Sequence, residues 1–151
     1  MIKIDLEEVR QYILENKKAK IYFGCDSQKF KKHGKWNARY VTAIVVYEKN
    51  NNKIFGEISF EKDFDNNPSR PFTRMYREVQ KTVDIFVQLL DVLENRDFEI
   101  HIDVNSSKKH GSNVAYDAVK GLVMSVCGVE PKFKPNSFAA SHVADHLLRH
   151  H

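Results

Sequence analysis

Apolar positions recur along the chain with two periods, and each switch between them marks an element. Leu6, Val9, Ile13 and Leu14 fall at helical spacing over residues 5–16, with Asp5 placed to cap the first turn. The run from Ile21 to Cys25 predicts a strand. Gln28 to Asn37 is polar and basic, contains Gly34, and reads as a loop or a hairpin tip. Arg39 to Tyr47, rich in β-branched residues, is a second strand, and Asn50-Asn51-Asn52 is a turn signal. Lys53 to Phe64 alternates around Ile54, Ile58 and Phe60, which predicts a third strand with a bend at Gly56. After a break at residues 66–71, a long helix runs from Phe72 to Leu93, with Met75, Val79, Val83, Phe86, Leu90 and Leu93 on its core face. Phe98 to Val104 is a fourth strand and Asn105 to Gly111 a polar loop. A second long helix spans Ser112 to Cys127 and stops at Gly128. Glu130 to Lys134 is a short fifth strand, and Pro135-Asn136-Ser137 opens a last helix through Arg149.

Three strands joined by short turns pair antiparallel, whereas strands separated by helices return as parallel crossovers. The expectation is an α/β fold: a mixed five-stranded sheet flanked on both faces by helices. The 151 residues suit a single domain, with residues 1–17 as an appended N-terminal helix.

Composition changes this picture little. Hydrophobic residues are 42% and charged residues 29% of the chain, so a proper core is available and disorder is excluded. No run approaches the ~18 apolar residues of a membrane span. The start, Met1 to Glu8, carries acids where a signal peptide has its apolar core. Two cysteines, Cys25 and Cys127, show no paired spacing. A reduced, cytoplasmic protein is expected. The net charge of +4 permits a polyanionic partner.

Four acids sit where folding alone does not ask for them. Asp26 directly follows an apolar strand, and Asp103 lies inside Ile100-His101-Ile102-Asp103-Val104. A carboxylate there is costly unless paired, hydrogen-bonded or metal-bound. Glu78 borders the apolar stripe of the long helix beside Met75 and Val79, and Asp145 shares a helical face with His142. Each has an ordinary alternative: strand-end turn residues for Asp26 and Asp103, solvated helix faces for Glu78, His142 and Asp145.

An acid on the first strand, one on the helix after three antiparallel strands, one on the fourth strand and one on the last helix resemble the ribonuclease H-like superfamily. More narrowly, Ile21-Tyr22-Phe23-Gly24-Cys25-Asp26-Ser27-Gln28, His101-Ile102-Asp103-Val104-Asn105, and Lys134 through Ala140 with Val143-Ala144-Asp145 resemble the YkuK-type family of small bacterial proteins. The resemblance covers residues 18 to 148. It implies that Asp26, Glu78, Asp103 and Asp145 together hold two divalent ions that act on a phosphodiester. The related proofreading exonucleases carry an acid two positions after the first Asp, where this chain has Gln28, and a longer spacing than His142 to Asp145, so that type is disfavoured.

Converging carboxylates repel: two charges ~5 Å apart cost on the order of 3 kcal/mol at an effective dielectric near 20. Without a cation some of them should hold protons. Hard oxygen ligands favour Mg²⁺ or Mn²⁺ over Zn²⁺, and two such ions can activate water and stabilise a leaving oxygen. His142 is a candidate proton shuttle or a surface histidine, and His110 a second, weaker candidate. Lys29, Lys31, Lys32 and Lys35, interleaved with Phe30 and Trp36, suit phosphates and unpaired bases, or form a solvated hairpin tip. Arg70, Arg74 and Arg77 oppose the dipole at the start of the long helix, which points to phosphate contact or to pairing with Asp63, Asp65 and Glu78. Lys108 and Lys109 extend the same rim. The expected function is a metal-dependent nuclease acting on RNA, DNA or a hybrid. A non-catalytic nucleic-acid-binding module and a dimeric structure-specific resolvase are the alternatives.

Overall fold

The computed structural model describes residues 3–49, 51–63, 72–105 and 113–134, excepting the side chains at 72, 103–105, 113–115 and 134. Helix α1 (Leu6–Glu15) begins as its sequence predicts: Asp5 Oδ1 accepts from the amides of Glu7 at 3.1 Å and Glu8 at 3.3 Å. Its far end is held by Arg96, whose guanidinium donates to the carbonyls of Ile13 (2.7 Å), Asn16 (2.6 Å) and Ala19 (3.2 Å). A cation there satisfies oxygens that the ending helix leaves open.

Five strands follow: β1 (Lys20–Lys32), β2 (Lys35–Glu48), β3 (Asn51–Lys62), β4 (Phe98–Asn105) and β5 (Lys132–Lys134), in the sheet order β3-β2-β1-β4-β5. The first three pair antiparallel, and β4 and β5 add parallel to β1. Phe23 lies opposite both Ile44 and Ile100, so the three central strands present apolar residues in step on one face. On that face α1, α2 (Phe72–Gln88) and α4 (Asn113–Cys127) bury Val9, Ile13, Val79, Val83, Phe86, Val119 and Val123 in one cluster with Ile21, Phe23 and Ile44. Each such side chain contributes about 1.5–3 kcal/mol when fully buried. The opposite face carries a second cluster of Val41, Ala43, Val45 and Ile58. The mixed sheet with flanking helices agrees with the expected architecture, except that among the described residues α1, α2 and α4 all pack on one face, where helices on both faces were expected. The last helix, expected from Pro135 to Arg149, lies outside the described residues.

Two further expectations need correction, and of the two readings of the stretch Gln28 to Asn37, loop or hairpin tip, the hairpin is the one found. Both strands continue through it to the pair Lys32↔Lys35, and only His33 (φ 53°) and Gly34 (φ 77°) form the turn. Two successive positive φ angles make the two-residue connection whose twist matches the flanking strands. Gly56 does not interrupt β3: it lies opposite Ala43 in a register that runs unbroken from Glu48↔Asn51 to Asn37↔Lys62. The long helix ends at Gln88, and a short α3 (Leu90–Leu93) follows. The interruption at Leu89 lets Leu89, Val92 and Leu93 all enter the core, while Leu90, expected inside, is 50% exposed. The carbonyl of Gln88 accepts instead from Arg10 Nη2 at 2.6 Å. At its own end α4 stops as predicted, with Gly128 at φ 71° and its amide donating to Met124 O.

Candidate metal centre and nucleic-acid interface

The apolar stretch of β1 ends at Cys25, and the next two residues are polar. Strand alternation sends Ser27 to the face covered by α2 and Asp26 to the other. The Ser27 hydroxyl donates to Glu78 Oε2, and the Ser27 amide donates to Asp26 Oδ1 at 2.9 Å. Glu78 stands on the inner side of α2 and is only 6% exposed. Burial pushes its carboxyl up to about 8; the Ser27 hydrogen bond opposes that rise, the Asp26 charge adds to it and Arg74 opposes it. At neutral pH the group therefore holds a proton unless a cation replaces it. Glu78 and Ser27 on the helix face and Asp26 on the other flank the end of β1, and hard oxygen donors of this kind suit Mg²⁺ or Mn²⁺ rather than Zn²⁺.

Asp103 occupies the position on β4 just after Ile102, and Ile102 is paired with Cys25, so the backbone sets Asp103 and Asp26 at the same level of adjacent strands. The side chain of Asp103 lies outside the described residues, as do Asp145, His142, His110, Arg70, Lys108 and Lys109. Among the described residues no three His, Cys, Asp or Glu side chains group to hold a metal. Of the four carboxylates expected, Asp26 and Glu78 are the two whose side chains are described.

The cations of α2 meet the edge strand. Arg77 pairs with Glu61 at 2.9 Å, and Lys81 joins the same carboxylate at 2.5 Å while donating to Ser59 at 3.0 Å. Together they hold Glu61 below the usual carboxylate range, Arg77 first. Arg74 Nη1 lies 3.8 Å from Asp63. Arg77 thus pairs with β3 and Arg74 with the residue just after it, because β3 runs far enough along β2 to face the first turns of α2. Lys81 also stands over the Tyr40 ring at 4.9 Å. Both cysteines are free and buried, and burial pushes the Cys25 thiol far up, so it is inert packing beside the acids.

Beyond Asp26 the β1–β2 ribbon forms an arm of six further β1 residues, about 20 Å long at strand rise. On the face shared with Ser27, the ammonium groups of Lys29 and Lys31 lie 4.4 and 5.0 Å from the centre of the Trp36 ring. Lys32, Lys35, Trp36, Asn37 and Lys62 line an open concavity of about 510 Å³ near the tip. The other face carries Phe30 and Phe60 in edge-to-face contact at 6.0 Å, with Arg39 hydrogen-bonded to Gln28 at 2.6 Å. The sequence reading missed Phe60, Arg39 and Lys62 as candidate contacts. The alternation that groups Phe60 with Ile54 and Ile58 was visible, but not that the core stops short of residue 60.

The strand order, the acids at the end of the first strand and on the facing helix, and the arm define an α/β protein of ribonuclease H-like architecture. The family model described as "Ribonuclease H-like" matches residues 5–149, and the chain belongs to that family, in its YkuK-type branch. Comparison with the curated proteins and with the solved structures finds no match. Among the described residues no helix is long and apolar enough to cross a membrane.

Proposed function

We propose that this protein is a divalent-metal-dependent nuclease that hydrolyses phosphodiester bonds of RNA or DNA. The observation that carries the reading is the buried Glu78 carboxyl, joined to Ser27 beside Asp26 and raised to about 8. Burying an acid costs stability, and a cation-binding role accounts for retaining it. In this reading Asp26 and Asp103, on adjacent central strands, are the rigid ligands. Glu78, on α2, and Asp145, on the last helix that the sequence predicts, adjust to occupancy, and His142 is in reserve to carry a proton. Bound Mg²⁺ or Mn²⁺ would supply a water activated at neutral pH and charge stabilisation for the leaving oxygen. Ser27 holds Glu78 toward the end of β1, and the arm's lysines draw in and neutralise phosphates.

The test is cleavage of single-stranded, duplex and hybrid substrates with Mn²⁺ and Mg²⁺, run beside Asp26→Asn and Asp103→Asn. Metal-dependent cleavage lost in both folded variants is expected. Equal activity in the variants refutes the assignment. Tight binding without cleavage in the wild type makes the protein a binding module of the same fold.

A further inference from the structure

We propose that the arm's second face, built on Phe30 and Phe60, is a stacking platform for unpaired bases, which makes single-stranded nucleic acid the preferred ligand. This rests on the nucleic-acid reading above and adds the state of the strand. Phe60 is 56% exposed although it lies in the same alternating row as the buried Ile58. An exposed phenyl ring on an edge strand costs solvation and invites pairing with other chains, so its position asks for a ligand. Phe30 meets its edge at 86° and 6.0 Å, which holds the ring in place. Gln28, Lys29, Phe30, Arg39 and Phe60 enclose a concavity of about 250 Å³.

The surrounding charge selects the occupant. From Gln28 to Arg39 there is no acidic residue, and there are Lys29, Lys31, Lys32, Lys35 and Arg39. Among the described residues none of these five side chains forms an ion pair, and Arg39 bonds the neutral amide of Gln28. Aromatic faces interleaved with unpaired cations suit a strand whose bases are open on one side and whose phosphates lie on the other. A duplex hides its base faces and would gain only the charge. Phe30 shares a strand face with Asp26 and lies four residues away, about 13 Å, so a strand stacked there passes within a few nucleotides of Asp26. On the opposite face Trp36 has lysine ammonium groups against its ring, which leaves Phe60 the more open of the arm's aromatic surfaces.

The experiment is fluorescence anisotropy of the full chain with a labelled single-stranded oligonucleotide and with the blunt duplex of the same sequence, in chelator so that nothing is cut. Phe60→Ala should weaken single-strand binding about 5- to 100-fold and leave duplex binding and the salt slope unchanged. Phe60→Trp should restore it, and Phe60→Leu, apolar but without a π face, should not. Phe60 is exposed, so thermal melts of the variants are expected to match the wild type. Equal single-strand affinity in Phe60→Ala, or equal losses on both ligands, overturns the proposal. So does a wild-type dimer that Phe60→Ala dissociates with oligonucleotide binding intact, which would make the ring a contact between copies. Chelator separates this result from catalysis: a protein that cuts but binds Phe60-independently loses only the platform, and one that stacks but never cuts loses only the nuclease.

Discussion

Replacing Glu78 by Gln removes the ionisable group while keeping its shape and its acceptor for the Ser27 hydroxyl. The folded carboxyl titrates near 8 and its ordinary value is 4.5, so its ionised form costs on the order of 5 kcal/mol when buried. Because the folded value is raised, the wild type is at full relative stability below the unfolded value and loses it as pH rises through about 8. Glu78→Gln should therefore match the wild type near pH 4.5, gain about 3 kcal/mol at pH 7, and gain no more above pH 8. At about 2–4 °C per kcal/mol for a chain of this size, the pH 7 gain is roughly 6–12 °C in Tm. Thermal melts followed by circular dichroism in chelator, from about pH 5 to 9, read this directly. Mn²⁺ should raise the wild-type Tm more than that of the variant, which lacks one of the proposed carboxylate ligands. A variant less stable than the wild type at pH 8, or a gap that does not change with pH, would refute the reasoning.

Other outcomes follow from the same structure. Arg96→Ala removes three bonds to carbonyls at the end of α1 and should cost about 2–4 kcal/mol, seen as a lower urea midpoint; a loss under about 0.5 kcal/mol would mean that water replaces the guanidinium. His101 is 1% exposed, and burial lowers its pKa below 6.5 against the opposing Glu99 hydrogen bond. Its contribution to stability is present above that value and lost on acidification, so His101→Gln should flatten the decline in Tm below pH 6.5, and a decline of unchanged slope would count against it. Lys31→Ala with Lys32→Ala should shallow the salt dependence of single-strand binding by about 1.4 in log–log slope if each lysine meets one phosphate; an unchanged slope removes the arm's tip from the interface.

The legible parts of the fold were those with local causes. Asp5 caps α1 and Gly128 stops α4 because each acts on backbone groups within four residues. The parallel and antiparallel pairings followed from connection length. The hairpin tip was one of two readings, and the length of the arm's strands was not legible because they are held by their backbone ladder and two-residue turn, with few buried side chains to leave an alternating apolar signal. The break at Leu89 was hidden because Leu89 and Leu90 offer the core two adjacent phases, and tertiary packing chose between them. Glu78 was visible as an acid beside an apolar stripe, whereas its bond to Ser27, 51 residues away, depends on how α2 crosses β1. The ion pairs of Arg74 and Arg77 needed the full length of β3, which patterning places only to within a few residues.

Diffraction from crystals grown in Mn²⁺, with an anomalous map phased on the protein, tests the central claim most directly. Peaks bound by the carboxylates of Asp26 and Glu78, and absent in Asp26→Asn, are the predicted result. Saturating Mn²⁺ with no peak between the end of β1 and α2, and Glu78 still bonded to Ser27 alone, would contradict it.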